Sequence, residues 1–202
     1  MKSFFRVLAA IVPLLLAACV PQKLVRNQGD AVSLAQQTAR EQQLANANHW
    51  ILQGRLSVSN GKEGGPGTLT WVQDGDHYDF TFRTPIVGKS FRLTGGPDGA
   101  LLEGVDGGPM QGPSAEALMR RALGLDVPLD ELRAWVLGVR AQGGNAQLSF
   151  GDNKLLSSLQ QDGWEVTYPT WDTQHQPPLP KTVFADKPPY KVKLAIDSWS
   201  LQ

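Results

Sequence analysis

The chain has 202 residues, a single cysteine and six tryptophans, and its 19 lysines and arginines are matched by 19 aspartates and glutamates. With no net charge and no basic run, it lacks the electrostatic footprint of a nucleic-acid binder. A lone cysteine excludes an intramolecular disulfide, so the fold must rest on an apolar core, for which about 180 mature residues suffice in one domain.

The N-terminus reads as an export signal. Lys2 and Arg6 are followed by an apolar run, Val7 to Ala18, and by the small residues Ala17 and Ala18. That order is the layout of a secretory signal, and the run is too short to span a bilayer comfortably. Leu16-Ala17-Ala18-Cys19 resembles the lipobox of bacterial lipoprotein precursors. The resemblance implies that residues 1–18 are a signal peptide and that Cys19 carries the lipid; two or more acyl chains anchor firmly where one does not. Nothing after Cys19 is apolar for long enough to cross a membrane.

Residues 19–48 form the next segment. Pro21 to Asn48 is polar and rich in Gln, Asn and Ala, a tether passing into a loose helix after the potential N-cap Asp30. From Trp50 the period becomes two. Trp50, Leu52, Leu56 and Val58 share one parity, Leu69 and Trp71 repeat it, and Tyr78, Phe80 and Phe82 alternate with polar neighbours. These are half-buried strands, with Gly61 to Gly67 and Asp74-Gly75-Asp76 as turns. Phe91 and Leu93 continue the series up to a turn at Gly95 to Gly99.

The middle of the chain turns helical. Ser114 is placed to cap Ala115 to Leu123, which Gly124 stops. A second helix starts near Pro128, at a first helical position, carries Leu129, Leu132 and Val136 or Trp135 on its apolar stripe, and ends at Gly138. Strands then resume. Leu148 and Phe150 alternate, Asp162-Gly163 is a two-residue hairpin turn, and Trp164, Val166 and Tyr168 alternate after it. The last strand sets Tyr190, Val192, Leu194 and Ile196 on one face and Lys191, Lys193 and Asp197 on the other. The expected fold is mainly β with some α: one curved antiparallel sheet with helices inserted, in a domain over residues 49–202.

Catalytic and metal motifs are missing from this pattern. His49, His77 and His175 stand far apart, without a second ligand at helical spacing. No serine occupies a nucleophile elbow. Gly64-Gly65-Pro66-Gly67 lacks the lysine and helix of a phosphate loop and reads as a hairpin turn. Asp74, Asp76 and Asp79 begin like a calcium loop, but Pro85 stands where the closing glutamate belongs. No cofactor is expected and no enzyme is demanded. What remains is a one-sided apolar inventory, which is either a packed core or a partly empty cavity. Spacing does not choose between them.

Several segments together carry a family resemblance. Gly54-Arg55-Leu56, Trp71 and Thr84-Pro85-Ile86-Val87-Gly88 resemble the opening of the LolB family of outer-membrane lipoprotein receptors. Leu123-Gly124, Val127-Pro128-Leu129, Leu132, Trp135 and Gly138 are similar to its central helical signature. Asp162 to Tyr168, Leu179-Pro180, Lys191 to Leu194 and Trp199 complete the match. The resemblance implies an open β-barrel with a helical lid over an apolar cavity. It implies a monomeric receptor, lipid-anchored on the periplasmic face of the outer membrane, that accepts acylated lipoproteins from a soluble LolA-like periplasmic carrier and inserts them into outer-membrane lipid. Val20 fits that address, because in enterobacterial-type sorting an aspartate after the acylated cysteine retains the protein at the inner membrane. The cavity residues expected from shared parity and the helix stripe are Leu52, Leu56, Leu69, Trp71, Phe80, Phe82, Leu132, Trp135 and Trp164. The turn chemistry of Pro85 and Gly88 leaves Ile86 and Val87 either projecting from a loop or folded back and buried, and the resemblance implies that they project and serve delivery to the membrane. Two alternatives stay open on the residues alone: an assembly lipoprotein whose packed β domain binds protein, and a lipid-anchored hydrolase with an unusual site.

Overall fold

The computed structural model describes residues 24–85 and 90–201. In chain order the elements are β1 (Asn27–Gln28), α1 (Ala31–Leu44), β2 (His49–Ser59), β3 (Gly64–Asp74), β4 (His77–Arg83), β5 (Ser90–Gly96), β6 (Gly99–Glu103) and β7 (Met110–Gly112). Then come the helices α2 (Ala115–Leu123) and α3 (Leu129–Val136), followed by β8 (Ala146–Phe150), β9 (Leu156–Gln161), β10 (Trp164–Asp172), β11 (Leu179–Lys187) and β12 (Tyr190–Leu201).

All twelve strands belong to one sheet, ordered β1-β8-β9-β10-β11-β12-β2-β3-β4-β5-β6-β7. Neighbours pair antiparallel throughout. The last strand lies beside the first long one, with Val192 opposite Val58 and Leu194 opposite Leu56. The sheet curves but stays open, because β1 and β7 are its edges. This is the mainly β architecture with inserted helices that the alternation and the helical middle predict, and the open edge-to-edge order agrees with the open barrel that the family resemblance implies.

Local chemistry explains the turns. Asp162 and Gly163 take φ of 51° and 79°, the paired positive values that a right-twisted two-residue hairpin requires. Ser114 accepts the Ala117 N–H at 3.2 Å and Gly124 closes α2 at φ 62°. Pro128 sits one residue earlier than expected, as the cap of α3 at φ −77° and ψ 108°, outside the first turn. The β2–β3 turn is also shorter than the glycines suggest. Gly64 to Gly67 belong to β3 and pair with Leu56 to Ser59. Asn60 makes the turn instead, its Oδ1 accepting the N–H of Lys62 at 3.0 Å and of Glu63 at 2.7 Å.

The concave face is filled by one apolar cluster that includes Trp50, Leu52, Trp71, Leu132, Trp135 and Trp164. Helix α2 packs on β5, β6 and β7, while α3 reaches β11. Helix α1, expected to be loose, is docked. Its buried side is largely polar: Ser33, Gln37, Arg40 and Leu44. Gln37 donates to the Gly138 carbonyl at 3.1 Å, Arg40 donates to the Leu137 carbonyl, and Arg140 forks onto Glu41 at 2.5 Å. Leu44 joins Leu137 and Leu179, with Trp199 against them. Helix α1 therefore closes the end of the sheet where β2 begins and β12 ends. The opposite end, marked by Ser59, Gly64, Arg83 and Ser90, bears the cavity.

Candidate functional site

A cavity of about 380 Å³ opens between the sheet and the lid, within the range of small-molecule sites. Leu56 and Val58 of β2, Leu69 of β3, Phe80 and Phe82 of β4, Phe91 and Leu93 of β5 and Val192 of β12 form its sheet wall. Met119, Ala122 and Leu123 of α2, Leu125 and Val127 of the link, and Leu129 and Leu132 of α3 form its roof. Glu63, Gly64, Gly65 and Thr84 stand at the rim. The strands deliver these groups by alternation, and α2 delivers its three by the spacing i, i+3, i+4. Gly67 has a packing reason: a Cβ there would lie 2.5 Å from the Phe82 ring.

Five of the nine expected cavity residues lie on the wall: Leu56, Leu69, Phe80, Phe82 and Leu132. The other four, Leu52, Trp71, Trp135 and Trp164, lie behind it in the core, at most 3% exposed. Phe80 rests on Trp71 with ring centroids 4.1 Å apart, and Trp71 meets Trp50 at 4.8 Å. Trp135 and Trp164 pack at 6.0 Å. Parity puts a side chain on the concave face but does not say how deep it sits, and the largest aromatics went deepest. Unforeseen as cavity residues were Phe91, Leu93, Leu102 of β6, Val192 and the whole α2 contribution. For α2 the signal was present, since Met119, Ala122 and Leu123 share one helical face. Cys19, Ile86 and Val87 lie outside the described residues.

The wall can bury apolar matter and offers little else. Among the described residues lining it, Glu63 carries the only charge. The groups most displaced by burial sit elsewhere, under α1. Desolvation pulls the Arg40 guanidinium down to about 10, against the Trp171 ring at 4.8 Å. Burial pushes the Tyr168 phenol far up. Neither lines the cavity. Among the described residues, no cluster of three or more His, Cys, Asp or Glu could hold a metal ion. Asp74 and Asp79 are engaged locally, the first with His49 at 2.6 Å and the second with Arg92 at 2.7 Å.

With this geometry, the family model described as outer membrane lipoprotein LolB matches residues 48–199. The chain belongs to the LolB family. It is 36% identical over 180 residues to the outer-membrane lipoprotein LolB of Xanthomonas campestris pv. campestris (strain 8004), covering 86% of this chain and 83% of that one. The LolB of Xanthomonas axonopodis pv. citri (strain 306) is 32% identical over 200 residues, covering 92% and 91%. The LolB of Pseudomonas fluorescens (strain Pf0-1) is 33% identical, covering 82% and 80%. Two solved structures share the fold at 9% identity and a TM-score of 0.50: a LolA superfamily protein from Nitrosomonas europaea, covering 82% of this chain and 93% of that one, and a DUF1329 family protein from Desulfovibrio piger, covering 83% and 91%. LolB membership makes the chain a lipid-anchored outer-membrane protein of lipoprotein localisation, and not an enzyme.

Proposed function

We propose that the chain is a receptor that takes acylated lipoproteins from a soluble LolA-like periplasmic carrier and places them in the outer membrane, holding an acyl chain in the cavity during transfer. The observation that carries this reading is the apolar cavity itself, roofed by α2 and α3 and open at one end of the sheet. A fully packed β domain that binds only protein has no use for such a space. Each buried methylene contributes roughly 0.8 kcal/mol, so an acyl chain cannot cross water bare at a useful rate, and a receptor that covers it removes that barrier. No nucleotide motif drives the transfer, which therefore runs downhill from carrier to receptor to bilayer.

In this reading residues 1–18 are removed, Cys19 bears the anchor, and residues 49–202 bind the cargo. Ile86 and Val87 serve delivery. Their neighbours in the sequence fit that role, since Thr84 and Phe91, which flank residues 86–89 in the chain, both line the cavity. Two apolar residues so close in sequence to the cavity lining would offer the bound chain a path into the acyl region of the bilayer.

The test uses the mature chain carrying Cys19→Ala, so that no acyl group of its own competes. Saturable binding of a fluorescent fatty-acyl probe, and uptake of a lipoprotein from loaded carrier, are expected. Absence of saturable probe binding by the folded protein would overturn the proposal.

A further inference from the structure

Glu63 stands out at the mouth. Every other described residue of the cavity lining is uncharged, and Glu63 follows directly on the Asn60 turn and precedes the bare backbone of Gly64 and Gly65. Asn60 holds Glu63 by the main-chain atoms of Glu63: the Asn60 Oδ1 accepts the Glu63 N–H at 2.7 Å, and the Asn60 backbone N–H donates to the Glu63 carbonyl at 3.0 Å. The Asn60 side-chain amide donates to the Leu123 carbonyl at 3.4 Å, tying the turn to the end of α2. The Glu63 carboxylate has no hydrogen bond or ion pair among the described residues. Its neighbour Lys62 is not on the cavity wall. An unpaired negative charge is thus held at the point where an apolar space meets water.

We infer that Glu63 selects between acylated molecules by the charge that follows the acyl group, admitting neutral linkages and disfavouring a phosphate. This rests on the acyl-cavity reading above. A receptor on a bilayer is surrounded by phospholipids, whose acyl chains suit an apolar cavity as well as any others. The difference lies at the glycerol. A phospholipid carries an anionic phosphate there, whereas a lipoprotein carries a thioether to cysteine, which has no charge. With the acyl chain in the cavity, that third glycerol position lies at the mouth, and the Glu63 carboxylate meets either a phosphate or a neutral sulfur. Like charges near a wet rim repel modestly, enough for about a 3- to 5-fold preference at low salt, shrinking as salt is added. This is selection against the wrong occupant, in addition to attraction for the right one.

The experiment displaces a bound fluorescent fatty-acyl probe from the Cys19→Ala mature chain with two competitors of the same acyl length, a neutral monoacylglycerol and lysophosphatidylglycerol. The wild-type rim should favour the neutral glyceride, and the preference should fall by about 3- to 5-fold in Glu63→Gln. In Glu63→Lys it should reverse. The side chain is exposed and makes no hydrogen bond or ion pair among the described residues, so both variants should unfold at the wild-type denaturant midpoint. An unchanged preference in both variants would overturn this inference alone. Failure of both competitors to displace the probe would overturn it together with the acyl-cavity reading.

Discussion

The indole N–H of Trp135 donates to the side-chain oxygen of Gln161 across 3.2 Å, joining the lid helix α3 to strand β9. The same oxygen accepts the Ala141 N–H at 3.0 Å, and the Gln161 amide donates back to the Ala141 carbonyl at 3.0 Å and the Gly143 carbonyl at 2.9 Å. One buried amide thus satisfies α3 and the segment that leads out of it. Gln161→Ala would strand these partners away from water, at a cost of about 2–3 kcal/mol. Urea unfolding followed by tryptophan fluorescence should show that loss as a lower midpoint with an unchanged slope. A midpoint within error of wild type would mean that water replaces the amide.

The division between wall and core predicts two kinds of mutant. Phe82 lines the cavity and is partly exposed, so Phe82→Glu puts its charge where water reaches. Probe affinity should fall by about tenfold or more with a small change in the unfolding midpoint. Trp135 is fully buried, and Trp135→Glu should destabilise the fold by several kcal/mol. Equal loss of stability in both variants would argue that the cavity closes onto Phe82 in solution.

Delivery is separable from binding. Ile86→Glu combined with Val87→Glu should leave probe affinity and unfolding close to wild type while blocking release of a loaded lipoprotein into added liposomes. A charged side chain cannot enter the acyl boundary without a large desolvation penalty. Normal transfer by this double variant would dismiss the loop from the mechanism.

Anchoring is tested at Cys19. Mass spectrometry of membrane-extracted protein should find the lipid mass on that residue at the new N-terminus. Export of Cys19→Ala behind a cleavable signal should leave the protein soluble in the periplasm.

Helix α1 should respond to acid through its cap. Asp30 accepts the Ser33 N–H at 2.7 Å and its hydroxyl at 2.6 Å, and Lys154 lies 3.0 Å away. The Ser33 hydrogen bonds, with Lys154 assisting, hold the carboxyl far below its ordinary 3.8. A depressed native pKa adds stability that is fully present above the unfolded value and is lost as pH falls below it toward the native one. Protection of the Ser33 amide, its exchange measured relative to the intrinsic rate at each pH, should therefore be high near neutrality and fall below about pH 4. Asp30→Ala should show low protection at every pH. An amide protected equally in the variant would place the cap elsewhere.

Much of this protein was legible from order and period. The alternations beginning at Trp50, Tyr78 and Tyr190, the cap at Ser114, the stop at Gly124 and the turn at Asp162-Gly163 each express a short-range rule of backbone geometry, so each appears in the chain where it acts in the fold. The strands that stayed hidden lack that signature. In β9, Ser157, Ser158 and Gln161 are buried beside Leu156 and Leu159, so polarity does not alternate along it, and β7 is only three residues long. Other features belong only to the tertiary structure. Whether Trp71 or Phe80 faces the cavity depends on how far the sheet curves around the lid, and two residues of one parity cannot be ranked by depth from spacing. The docking of α1 depends on Gln37 and Arg40 meeting carbonyls about a hundred residues away, a match between polar groups that no local pattern announces. The charge of Glu63 is plain in the sequence; its place at the mouth is decided by a four-residue turn packed against the end of a distant helix.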